Sequence, residues 1–101
     1  VTSAKRISVL PRIPAIAEAG FPDFDVAAWY GFFAPARTSP AIVTRLNREL
    51  RAILEMQDVR ERLAALGVEP VGSTPEQHAA HIKWEVARWT PVIKATGMRV
   101  D

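Results

Sequence analysis

Residues 24–35 form the densest apolar and aromatic run of the chain: Phe24-Asp25-Val26-Ala27-Ala28-Trp29-Tyr30-Gly31-Phe32-Phe33-Ala34-Pro35. Turn residues Phe21-Pro22-Asp23 bound it on one side, and the stretch from Pro35 to Pro40 bounds it on the other. A short run with apolar residues on both faces reads as a buried strand, because helical runs of this kind are longer and keep a polar face. Gly31 inside it weakens a strand, so it marks a bend or a close approach by another backbone or a ligand. Trp29 and Tyr30 are neighbours, so on a strand they point to opposite faces, either both packed in core or one toward a core and the other toward a cleft. The run is the expected spine of a sheet, against which the remaining elements pack.

Those elements read as helices. Pro14-Ala15-Ile16-Ala17-Glu18-Ala19-Gly20 has proline at the first position of a short helix and glycine just past its end. Ser39-Pro40 opens a longer one, with Ser39 as the expected cap and Ile42, Val43, Leu46, Leu50, Ile53 and Leu54 as an apolar stripe. Asp58 and Glu61 have the spacing of a capping box, and Gly67 ends that helix. Thr74 and Gln77 repeat the capping-box spacing before a last helix whose stripe is Ile82, Val86, Trp89 and Ile93. Pro91 is expected to kink or end this helix near Trp89-Thr90, because its ring meets the preceding turn. Residues 1–6 read as the end of a strand, and residues 68–72 as a short extended piece limited by Pro70. Strands alternating with helices predict an α/β layer structure.

Composition narrows the function. Thirteen Lys and Arg face eleven Asp and Glu, a net charge of only +2, with the two signs interleaved along the helices. A nucleic-acid partner is therefore not expected, since such proteins gather positive charge on one face. The chain has no cysteine, which excludes thiolate metal sites, disulfides and thiol catalysis. No stretch approaches the roughly 18 apolar residues of a membrane span. His78, His81 and Glu85 share one helix face and are the candidate zinc ligands, weighed against the favoured reading of a solvated helix face. The glycines are scattered rather than gathered into a phosphate loop, and Ser39, Ser73 and Thr74 read as caps or turn residues. No catalytic residues, metal or cofactor are expected, and the chain does not read as an enzyme.

Pro14-Ala15-Ile16-Ala17-Glu18-Ala19-Gly20 followed by Trp29-Tyr30-Gly31-Phe32-Phe33-Ala34-Pro35 resembles the Bug-type (TctC-like) receptors of tripartite tricarboxylate transporters. So do Leu46-Asn47 with Glu49, Val59-Arg60 through Leu63, Leu66-Gly67 with Glu69-Pro70, and the ending Thr74-Pro75-Glu76, Glu85, Arg88-Trp89, Val92, Lys94 and Gly97. Arg37 departs from the pattern, standing where a glycine is common, and Arg12 stands where an Asp is frequent. The resemblance implies a periplasmic solute-binding protein with a type II, two-domain α/β fold, of which this chain is a C-terminal fragment. Residues 1–24 would end the second, ligand-clamping domain, residues 25–36 would be the crossing or hinge strand, and residues 37–101 would be the helical end of the first domain. It also implies that the parent protein binds a small carboxylate, a dicarboxylate or an amino acid and delivers it to membrane transporter subunits. Trp29, Tyr30 and Gly31 are the expected ligand-binding residues, followed by Ser3 and Ala4 at the end of the first strand, where α/β ligands collect. The alternative is an isolated interaction module without ligand, a homodimer or strand-exchanged oligomer formed through open sheet edges.

Overall fold

A computed structural model describes residues 1–99. Its regular elements are a single 3-10 turn at Ile16–Ala19, then α1 (Pro40–Glu55), α2 (Gln57–Ala65) and α3 (Pro75–Thr96). Among the described residues there is no strand, which corrects three expectations: residues 1–6 bend at positions 3–5, residues 24–35 are irregular, and residues 68–72 run without a ladder. A helix satisfies its backbone within itself, whereas a strand exists only when a second strand supplies the opposite half of each hydrogen bond. These segments lack that second strand.

The helix boundaries follow local chemistry. α3 begins with a reciprocal capping box, in which the Gln77 N–H donates to Thr74 Oγ1 at 3.2 Å and the Thr74 N–H donates to Gln77 Oε1 at 2.9 Å. Gly97 ends it with φ 66°, a conformation that glycine adopts without a Cβ penalty. The other two caps differ from expectation. Ser39 precedes α1, but its side chain accepts no capping hydrogen bond, and Pro40 at the first position removes one free donor anyway. α2 starts one residue early, so Asp58 sits inside its first turn rather than at the cap, and Gln57 Nε2 donates to Glu61 Oε1 instead.

Pro91 neither ends nor interrupts α3. The carbonyl of Ala87, four residues back, loses its donor, but Ala87 is exposed and water can take that place. Thr90 Oγ1 donates to the Val86 carbonyl in the same turn.

α1 touches both α2 and α3, yet its stripe is only half covered: Val43, Leu50 and Leu54 are partly buried while Ile42, Leu46 and Ile53 stay exposed. Ala15 is the one fully buried hydrophobic residue among those described. The radius of gyration is 16.4 Å, against about 13 Å for a compact domain of 100 residues. The accessible surface is 8694 Å², where a folded monomer of this mass has roughly 5,700 Å². The helices are formed, but among the described residues their apolar faces are largely uncovered.

Candidate functional site

The expected site residues fall into two places. Residues 1–26 form a loop layer held by polar bonds. The Ile16 N–H donates to the Val1 carbonyl at 3.0 Å and the Val26 N–H to the Thr2 carbonyl at 2.7 Å. The Ala4 N–H donates to Asp25 Oδ1 at 2.9 Å, and the Ser3 hydroxyl donates to the Lys5 carbonyl at 2.8 Å. The amide of Ala4 is thus already matched to a carboxylate of the chain itself. Arg6 grips Glu18 through Nε and Nη2, the latter at 2.6 Å, while Glu18 also accepts from the Ala15 N–H at 3.2 Å. The Arg6 side chain, joined by the Ala15 amide, holds the Glu18 carboxyl at about 2, below its ordinary 4.5. The paired guanidinium of Arg6 is shifted up by the same contact.

The second place is a ring cluster between residues 27–34 and α3. Trp29 meets His78 and His81 edge-on, with centroids 5.6 and 4.9 Å apart. Phe33 tilts against His78 at 5.1 Å. Gly31 lies between them, where a Cβ would come within 2.5 Å of His78 Cε1. The close neighbour at Gly31 is a histidine side chain, not another backbone or a ligand. Trp29 and Phe33 touch the His78 ring on α3, with Phe33 still 69% exposed, while Tyr30 is 83% exposed and Phe32 80%. The segment keeps the two-residue alternation of a strand while its residues 27–34 take part in no backbone hydrogen bond among the described residues.

His78 and His81 are half-buried under Trp29, which corrects the solvated-face reading. One turn on, Glu85 accepts from Trp89 Nε1 at 2.8 Å and pairs with Arg88 at 3.8 Å. Arg88 lies 4.8 Å from the Trp84 ring centroid and 5.3 Å from that of Trp89. Such cation–π contacts contribute about 0.5–1 kcal/mol where exposed. No group of three or more His, Asp or Glu among the described residues is arranged to hold a metal ion. The histidines were visible in the sequence, but their partner in space was not, because helical periodicity carries no trace of a ribbon crossing the helix.

An open hollow of about 520 Å³ lies elsewhere, lined by Ser8, Glu55, Arg60, Glu61 and Glu69 among others. Three carboxylates against one guanidinium make it a poor seat for an organic anion. Glu69 has its carboxyl shifted down by the Ser8 N–H and hydroxyl, both of which donate to it at 3.0 Å. Ser3 and Ala4 share neither a hydrogen bond nor a ring contact with Trp29, Tyr30 or Gly31. The link between the two places is Asp25-Val26, tied to Ala4 and Thr2 just before the ribbon begins.

Comparison with known proteins gives a consistent set of likenesses. The family model described as "Tripartite tricarboxylate transporter family receptor" matches residues 1–98. Protein BugT of Bordetella pertussis is 36% identical over 99% of this chain and 31% of its own length. The UPF0065 protein in the tcbD-tcbE intergenic region of Pseudomonas sp. (strain P51) is 44% identical over 92% of this chain and 28% of its own. Among solved structures, R. palustris Rpa4515 with adipate has a TM-score of 0.77 and 40% identity, covering 95% of this chain and 32% of that one. The periplasmic binding protein BugD has a TM-score of 0.76 and 35% identity, over 95% and 33%. The chain therefore spans about a third of the length of the relatives it matches in full.

Proposed function

The chain belongs to the tripartite tricarboxylate transporter receptor family, and from that premise we propose that it is a segment of an extracytoplasmic solute-binding receptor. The parent protein binds a small carboxylate, a dicarboxylate or an amino acid in the periplasm and hands it to membrane transporter subunits, without chemistry of its own. The observation that carries this reading is the likeness, at 40% identity, to a receptor solved with adipate. The unpaired ribbon supports it. Residues 25–36 are the crossing strand of a two-domain type II fold, whose first side is residues 1–24 and whose helical side is residues 37–101. Its free amides and carbonyls are completed by strands from the other two-thirds of the receptor, an addition of the kind that sheet edges make.

Tyr30 leads the ligand contacts, because it stands outward beside Trp29 and Gly31. Ser3 and Ala4 form the opposite wall across the cleft. Closure is a hinge motion in which the ribbon bends. A chimera in which this chain replaces the matching third of Rpa4515 tests the reading. With adipate at about 100 times its Kd, linkage predicts about 2.7 kcal/mol of added stability, read as a rise in Tm. A folded chimera whose Tm is unmoved by adipate, by other di- and tricarboxylates and by amino acids would refute it.

A second reading draws on the same ribbon. Produced alone, the chain pairs ribbon to ribbon as a homodimer or strand-exchanged oligomer, an interaction module without ligand. Light scattering at micromolar concentration separates the two, and a monodisperse monomer removes the second.

A further inference from the structure

We propose that His78 and Gly31 form a key that fixes the register of the ribbon on α3 and so decides which side chains it presents outward. Gly31 is the only glycine between residues 21 and 66, and its missing Cβ leaves the one notch in the ribbon that admits an imidazole. With the His78 ring in that notch, Trp29 and Phe33 flank it on the inner face. Tyr30 and Phe32 are then obliged to face away. A slip of one residue would place a side chain against the ring and turn Tyr30 inward, since alternation exchanges every residue between faces. The contact is dry. His78 Nε2 is buried without a hydrogen-bond partner, so the ring is held by shape rather than by a directed bond. His78 is in this sense a positioning residue. Its link to ligand, through Tyr30, rests on the receptor reading above, whereas the key itself does not.

The test reads Trp29 alone, in a background with Trp84→Phe and Trp89→Phe, by acrylamide quenching, with circular dichroism as the check on the helices. Gly31→Ala drives its new methyl into the far end of a side chain, so the ring is expelled and the helices remain. Trp29 is 38% exposed with the key in place, and quenching is expected to rise roughly twofold once the ring is expelled. His78→Ala alone removes the ring and raises quenching as well. The double variant Gly31→Ala/His78→Ala places the methyl in the space the ring left, and its quenching falls below that of either single variant, toward the starting value. Unchanged quenching in His78→Ala, or a double variant no better protected than the singles, overturns the proposal. The first of these decides the matter even where Gly31→Ala loses its helices. None of these readouts involves a ligand, so failure of the receptor reading would leave the key standing, and the reverse.

Discussion

The loop layer of residues 1–26 and the ribbon of residues 27–34 are both irregular, yet they are held in opposite ways. In the loop layer, several backbone groups find partners within the layer, Ser8 reaches out to Glu69, and the single buried residue, Ala15, donates its N–H to Glu18 of the Arg6–Glu18 pair. In the ribbon, rings pack on α3 while the backbone between them goes unbonded. The loop layer's bonds join distant parts of the segment, Val26 to Thr2 and Ile16 to Val1, and closing such longer loops adds only slowly to the entropic cost. Edge-on ring contacts orient a segment but leave its amides and carbonyls open to an incoming strand. The first region is held mainly by its own polar groups, and the second by ring contacts to α3.

Substitutions can break or sharpen that contrast. The largest effect is expected from Trp29→Ala, which removes the indole that seats the ribbon. Full burial would make the loss about 3–5 kcal/mol; with the indole 38% exposed, about 2 kcal/mol is expected. Hydrogen exchange should show the loss across α3, against which the indole packs, while the hydrogen-bonded amides of Ala4 and Val26 keep their protection. Equal loss in both regions would dissolve the distinction. Next comes Thr74→Ala, which unmakes the capping box one turn before His78 and is expected to cost about 1 kcal/mol by urea denaturation. Ser39→Ala, whose hydroxyl caps nothing, is expected to change stability by less than about 0.5 kcal/mol in the same assay.

A smaller gain is expected at Arg37, just past the ribbon. It is the one non-glycine residue among those described with positive φ, at 71°. Left-handed geometry costs a side chain about 1–2 kcal/mol. Glycine relieves this but adds freedom to the unfolded chain, so Arg37→Gly should stabilise by about 0.5–1 kcal/mol net. The smallest effect is a pH slope confined to the loop layer. Glu18 is held at about 2, below its ordinary 4.5. The unfolded chain therefore takes up the proton first, and the contribution present above about 4.5 is lost as pH falls through about 2. Glu18→Gln should flatten that slope in an acid titration followed by exchange at Ala15, without altering the Trp29 signal.

Which parts could be read from sequence follows from the same division. Thr74, Gln77 and Gly97 announce α3 through contacts only a few residues apart, and the structure places them as expected. Asp58 misled because Gln57 competes for Glu61 one residue earlier, and Pro91 misled because an exposed carbonyl can turn to water. The alternation of Trp29, Gly31 and Phe33 was legible as a strand pattern, but pairing is a non-local property and no residue within 24–35 encodes its own partner. The family likeness was carried by residue motifs, the Trp29–Pro35 run among them, so it survived where the strand assignment did not. The seating of Trp29 on His78 and His81 stayed hidden, since nothing in the spacing of two histidines records what crosses above them.

The uncovered stripe of α1 has a calorimetric consequence. Heat capacity rises on melting in proportion to the apolar area newly wetted, about 1.2–1.5 kcal/mol/K for an ordinary domain of 100 residues. Here Ile42, Leu46 and Ile53 are already wet in the folded chain, so melting alone should register a much smaller step and a broad, shallow endotherm. A steep endotherm would return only when a complementary surface shuts water away from those three side chains.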